Sequence, residues 1–233
     1  MKTILPLLSL SLSLFICSLR AGEGGQALTE IEAFIDQKEK AGVINKQDKN
    51  WKSHLPKFPE VAFAGGGHYE WTLNTSEGTM IAVLNDEAAP NHVRNILYLT
   101  SVGFYNGLIF HRIIPGFMAQ GGCPLGKGFG GPGYSVDLEV KPDVLHKEIG
   151  VLSMARSQNP NSAGSQFFIT FGPTPNLDQQ YSVFGKITEG LDVLEKIEKA
   201  GNPNPRSNGT PPLKEITIKD ATVKWVEDSA DPS

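Results

Sequence analysis

Two cysteines in 233 residues are too few for a disulfide framework. Cys17 lies in an apolar N-terminal stretch, which leaves Cys123 alone. A chain exported with one thiol must hold its core by packing, and Cys123 reads as a small, partly buried packing residue. Lys and Arg nowhere cluster, and the formal net charge is −4. The electrostatic footprint of a nucleic-acid binder is therefore missing, and no nucleic-acid partner is expected. His54, His68, His92, His111 and His146 show no metal-ligand spacing to each other or to Cys123. Neither a metal nor a cofactor is expected. No internal repeat is visible. "GCPLGKGFGGPGY" lacks the Lys-Ser/Thr ending of a phosphate loop and reads as a flexible surface loop. "NSAGSQFF" is not the Gly-x-Ser-x-Gly elbow of a serine hydrolase.

The first residues have the layout of a secretory signal peptide. Lys2 precedes an apolar stretch from Ile4 to Leu19, and small residues follow at Ala21 and Gly22. The stretch is shorter than the ~20 residues a membrane span needs and carries Pro6 and several serines. Residues 1–21 are thus expected to be removed, without stable membrane insertion, and the product to be periplasmic or secreted. Losing Lys2 and Arg20 leaves 19 basic residues against 25 acidic ones, a net charge of −6.

Residues 22–67 read as an N-terminal helix and a strap. "ALTEIEAFIDQKEKAG" predicts a helix with a Thr29/Glu32 capping box, Leu28, Ile31 and Ile35 on one face, and Gly42 as its stop. "VINKQDKNWKSHLPKFPEVAFAGGG" lacks either period and predicts a linker or a strap on the surface. The main domain is placed at residues 68–226, with a tail at 227–233. It opens with a hairpin, Tyr69 to Thr75 and Thr79 to Leu84. A helix capped by Asn91 follows, with Val93, Ile96, Leu97 and Thr100 on one face and Gly103 as its stop. Short strands are predicted at 108–114, 117–121, 149–153, 167–171 and 183–187. A further helix should bury Leu191, Leu194 and Ile197, and "LKEITIKDATVKW" alternates as a closing strand. The sum is a mainly β domain: a closed eight-stranded antiparallel barrel capped by two helices, with an N-terminal helical extension.

"FHRIIPGFMAQGG", residues 110–122, sets an arginine and a glutamine in an apolar run. A buried guanidinium without partners costs several kcal/mol, roughly, so something nearby must receive it. On residue type alone, Phe117, Phe168 and Leu177 read as core, and Arg112 could pair with Asp137, Glu139 or Glu148 at a barrel rim. His111 has no nucleophile partner and reads as a hydrogen-bonded structural residue.

With "GVLSMARSQNPNSAGSQFFIT" and "YSVFGKI", this stretch closely resembles the cyclophilins, a family of peptidyl-prolyl cis-trans isomerases. The resemblance runs from about Tyr69 to Trp225 and implies an eight-stranded barrel with two capping helices. It also implies proline-containing polypeptides as substrates. Carried onto this chain, it makes Arg112 the catalytic arginine, Gln120 its orienting partner, and Phe117, Met118, Phe168 and Leu177 the proline pocket. Ala155, Arg156, Ser157 and Gln166 would line the groove for the peptide, with Tyr181 stacking at the pocket mouth. The best-known members have a tryptophan where this chain has Asn176, a histidine where it has Tyr181, and a loop one residue shorter than "SQNPNSAG". Pocket apolarity survives these changes, whereas tight cyclosporin binding, which leans on that tryptophan, is put in doubt.

Two other functions fit the same residues. One is a non-catalytic proline-binding module or chaperone that recruits a partner through the N-terminal extension. In the other, "WKSHLPKFPE", with two X-Pro bonds and two aromatics, occupies the groove of its own domain. The Asn-Gly-Thr at Asn208 is a glycosylation acceptor pattern that matters only in a glycosylating compartment.

Overall fold

A computed structural model describes residues 25–228. The signal peptide expected at 1–21, with Cys17 and the Ala21 cleavage point, lies outside the described residues, as does the end of the C-terminal tail.

The alternating pattern at 67–84 builds a hairpin of β1 (Gly67–Thr75) and β2 (Gly78–Leu84) in register from Glu70 opposite Val83 to Thr75 opposite Gly78. Every second residue points inward, so Tyr69, Trp71, Leu73, Met80 and Ala82 are fully buried. After α2 (Pro90–Ser101) come β3 (Arg112–Ile114), β4 (Met118–Gly121), β5 (Val151–Met154), β6 (Phe167–Thr170) and β7 (Val183–Glu189). Then α3 (Leu191–Lys199) precedes β8 (Ile218–Glu227). All pairings are antiparallel, in the order β3-β4-β6-β5-β7-β2-β1-β8. The expected closed barrel needs correction: the sheet curls, but β3 and β8 remain its two edges. What draws those edges together is the chain before β3, which bonds to the start of β8 and to the residue two before it. Phe110 N donates to Ile216 O at 2.9 Å and Ile218 N to Leu108 O at 2.7 Å. Residues 107–110 therefore bond across the gap rather than extending β3 as predicted.

Trp71 is the hub of the interior, in edge contact with Tyr105 at 5.3 Å and Phe167 at 5.0 Å. Each such pair adds about 0.5–1.5 kcal/mol beyond area burial. In α3 the buried residues are Val193, Leu194 and Ile197; Leu191, expected inside, opens the helix and is 37% exposed.

Helix α2 buries more than one face: Val93, Ile96, Leu97 and Thr100 as predicted, but also His92, Asn95, Tyr98 and Leu99. Its outer side is covered by α1 (Gln26–Lys40) and by the strap, both from the N-terminal extension. Ala27, Ile31 and Ile35 of α1 are buried, and Phe34 meets Tyr98 edge-on at 5.9 Å. The strap is not a surface linker. Ile44, Leu55, Phe58 and Val61 join the main core, and Arg94 Nε donates to Val61 O at 2.7 Å. Among the described residues, no helix is long and apolar enough to cross a membrane.

Two helix starts differ from the sequence reading. The Thr29/Glu32 box does not form, because α1 begins a turn earlier at Gln26, where burial of Ala27 extends the apolar face. Thr29 Oγ1 instead donates back to Gly25 O at 3.4 Å. Asn91 is not the cap of α2; Pro90 opens it, and the Glu139 carboxylate accepts from Asn91 N at 3.1 Å and His92 N at 3.0 Å. A carboxylate at a helix N-terminus satisfies free donors and meets the positive end of the dipole.

Because the extension is core, Ile31→Ala, at a fully buried position, is expected to lower unfolding free energy by about 2–4 kcal/mol, the usual range for such a truncation. Urea denaturation checks it. A variant as stable as the parent would show that α1 is only loosely docked.

Candidate active site

Strands β3 and β4 pair with Arg112 opposite Gln120, so both side chains leave the sheet on the same side. Arg112 Nη1 donates to Gln120 Oε1 at 3.3 Å. The stronger hold comes from elsewhere: Nε donates to Asn208 O at 3.0 Å and Nη2 to Asn208 Oδ1 at 2.7 Å. Among the described residues, no carboxylate receives the guanidinium. Glu139 caps α2, and Glu148 pairs with Lys186 at 2.8 Å. Arg112 is only half-buried; burial lowers its pKa and Tyr181 opposes the shift. It stays a cation, as arginine does in proteins.

Asn208 was missed from the sequence, where it counted only as a sequon. It sits at φ +51°, a left-handed conformation that asparagine tolerates better than most residues. The next residue, Gly209, has φ +75° and no room for a side chain, since a Cβ would come within 2.6 Å of Ile114. Its carbonyl accepts from Ile113 N at 3.0 Å, which anchors the turn beside β3. An Asn-Gly turn signal was legible; its contact with Arg112, 96 residues earlier, was not. Asn208→Ala is expected to lower kcat/KM on an X-Pro peptide about three- to tenfold, the scale of one lost charge-assisted bond partly replaced by water. An unchanged rate would show that the Asn208 carbonyl and Gln120 suffice.

Beside the guanidinium lies a cavity of about 220 Å³ lined by Arg112, Phe117, Met118, Gln120, Ala155, Arg156, Phe168, Leu177 and Tyr181. Met118 and Phe168 are buried, while Phe117, Leu177 and Tyr181 are half-buried at its rim. Tyr181 meets Phe168 edge-on at 5.6 Å and carries the Arg156 guanidinium over its ring at 4.6 Å. Asn176 is exposed beside Leu177 and its side chain lines no part of this cavity. Behind the wall, the His146 ring stacks on Phe168 at 6.0 Å and is fixed by Asp178 Oδ1 at 2.9 Å and Ser153 Oγ at 3.1 Å. The other two sequence-predicted residues, Ser157 and Gln166, line a second, adjoining cavity of about 510 Å³, which also takes in Gln120, Ala155 and Arg156.

Two expectations are corrected here. The segment "WKSHLPKFPE" does not enter the groove: Leu55 and Phe58 are buried in the core, and no strap residue lines either cavity. His111 is buried, yet neither ring nitrogen has a hydrogen-bond partner. Burial, with Arg112 adding to it, pushes its pKa down to about 4.

The pattern that describes cyclophilin-type peptidyl-prolyl cis-trans isomerases matches residues 71–223. The chain belongs to that family. It is 47% identical over 130 residues to a peptidyl-prolyl cis-trans isomerase of Helicobacter pylori, covering 55% of this chain and 79% of the relative. It is 43% identical over 157 residues to a peptidyl-prolyl cis-trans isomerase-like 2 protein of Cryptococcus neoformans, and spans 27% of that relative's length. Among solved structures, a cyclophilin type isomerase of Cryptosporidium parvum, solved in the presence of the dipeptide Ala-Pro, superposes with a TM-score of 0.61 at 36% identity. That match covers 69% of this chain and 99% of the other. Residues 25–66, the helix and the strap, fall outside the family match.

Proposed function

We propose that this cyclophilin accelerates cis-trans isomerisation of X-Pro bonds in exported polypeptides, with Arg112 as the catalytic residue. The observation that carries the reading is one arginine, fixed by three hydrogen bonds, at the rim of a cavity walled by Phe117, Met118, Phe168 and Leu177. An X-Pro bond turns over slowly because rotation breaks amide resonance. In the twisted state the proline nitrogen becomes pyramidal and regains its lone pair. A guanidinium N–H aimed at that lone pair makes a bond that the planar ground state does not offer. Phe117, Met118, Phe168 and Leu177 exclude water and favour the less polar twisted state. Going from ~0.01 to ~1000 per second needs about 7 kcal/mol, more than one hydrogen bond supplies. Pocket and orientation contribute the remainder, with Asn208 and Gln120 holding the guanidinium so that it need not reorganise. No covalent intermediate or proton transfer enters.

The test is a protease-coupled isomerisation assay on residues 22–233. Turnover well above the spontaneous rate supports the reading, and a folded protein that leaves that rate unchanged overturns it. Export rests on the apolar N-terminal stretch, and a protein recovered from the secretory space with its N-terminus at Gly22 would establish it. A non-catalytic module recruiting partners through the extension has less support. Ile31 and Ile35 of α1 and Ile44, Leu55, Phe58 and Val61 of the strap are buried within this chain's own core.

A further inference from the structure

The extension reaches the site from behind. The glycine-rich loop at 128–135 forms one wall of the larger cavity, through Gly128 to Gly131 and Gly133 to Ser135. Glycines let a wall approach a ligand closely but give it little stiffness of its own. Its stiffness is supplied on two sides. On the inside, Gln166 Nε2 donates to Gly128 O at 3.1 Å and Gly130 O at 2.9 Å, and Gln166 Oε1 accepts from Gln120 Nε2 at 3.0 Å. The loop is thereby one link from the amide that bonds Arg112.

On the outside stands the strap. Leu55 N donates to Pro132 O at 2.9 Å. The Phe58 ring meets Tyr134 edge-on at 5.9 Å, and both Leu55 and Phe58 are 5% exposed. At Gly133 the two backbones are so close that a Cβ would lie 2.8 Å from Ser53 O. Tyr134 Oη in turn donates to Asn95 Oδ1 at 2.8 Å, while Asn95 Nδ2 donates to Gly164 O at 2.7 Å, in the segment packed against the loop, where a Cβ on Gly164 would lie 3.0 Å from Pro132. Phe58 thus packs on the residue that ties the loop to Asn95 of α2.

We propose that Leu55 and Phe58 are positioning residues that set substrate preference, by fixing the loop that walls the cavity beside the proline pocket. This rests on the isomerase reading. The occupant of that cavity is a side chain flanking the proline of the bound peptide, because the two cavities share Gln120, Ala155 and Arg156. The strap, which the family match does not cover, then acts on specificity, while Arg112 keeps its two bonds to Asn208 whatever the loop does.

The experiment measures kcat and KM on a peptide series whose residues flanking proline range from Ala to Leu, Phe and Lys. It uses the full mature chain, Phe58→Ala, Phe58→Leu and Ile31→Ala. Phe58→Ala is expected to change the ratio of KM between large and small flanking residues at least fivefold, with kcat on the alanine peptide within twofold of the parent. Phe58→Leu should restore part of the ratio. Ile31→Ala, which weakens the extension away from the loop, should leave it unchanged. A ratio that moves equally in Phe58→Ala and Ile31→Ala, or in neither, overturns the proposal. Should Phe58→Ala not fold, Phe58→Leu is read by the same ratio and by hydrogen exchange at Gly128 to Tyr134; unchanged ratio and exchange overturn it. A parent without turnover sinks the isomerase reading instead, and the same ratio is then read from peptide dissociation constants by calorimetry.

Discussion

Replacing Arg112 by alanine is expected to lower kcat/KM for X-Pro isomerisation about ten- to hundredfold, the equivalent of one charge-assisted hydrogen bond of roughly 1.5–3 kcal/mol. The loss should fall on kcat, since the bond to the proline nitrogen exists only in the twisted state. Stability should change little. Arg112 is half-buried at the cavity rim, and its partners Asn208 and Gln120 can turn to water when it leaves. Arg112→Lys should not rescue the rate. An ammonium cannot hold the Asn208 carbonyl, the Asn208 side chain and Gln120 while keeping a donor for substrate, as the planar guanidinium does. Steady-state assays of the three proteins decide it. A variant that kept parental kcat would leave the enzyme standing and displace Arg112 as its main electrostatic aid, with the pocket carrying the catalysis.

The largest effect on stability is expected from acid. His92 of α2 is fully buried. Burial pushes its pKa from 6.5 down to about 4, against a smaller opposing pull from the Asp137 carbonyl. His111 is shifted the same way, to about 4. A depressed pKa means that the folded state refuses a proton the unfolded chain accepts. Above pH 6.5 both states are neutral at these rings and the full stability is present. As the pH falls from 6.5 toward 4 the unfolded chain takes up protons first, and stability drains away until the folded state titrates too. For His92 alone the loss by pH 4.5 is about 2–3 kcal/mol. Urea denaturation at pH 7.5 and 4.5 reads it directly, with His92→Gln as the comparison. The variant should be less stable at pH 7.5 but flatter with pH by about that amount. Equal pH slopes in parent and variant would show that the fall belongs to other groups.

The order of elements and most of the residues round the cavity are legible in the sequence. Alternation at 67–84 and 218–227, glycine stops at Gly42 and Gly103, and apolar spacing along α2 and α3 are local signals, and local signals survive into the fold. Phe117, Met118, Phe168 and Leu177 were recognisable because their motifs are long, and the structure brings them round one cavity with Arg112. What failed was everything that depends on a partner far along the chain. Glu139 caps α2 from 48 residues away, a distance over which a local cap such as the one expected of Asn91 gives no warning.

The extension shows the same division. Its helix is legible from period, but "VINKQDKNWKSHLPKFPEVAFAGGG" has no period, and absence of period points to a surface path. Irregular backbone does not need a period to bury Leu55 and Phe58; it needs only a surface whose shape receives them, and that surface is built by α2 and the loop at 130–134. The sequence by itself determined the strands, the helices, the family resemblance and the identity of the pocket side chains, because each is encoded within a few neighbouring residues. Only the tertiary structure decided that Asn208 holds Arg112, that the sheet curls without full closure, and that the strap braces the cavity wall. Those contacts join segments dozens of residues apart, and a pairing across such distances is set by the packing of the whole chain rather than by any pattern along it.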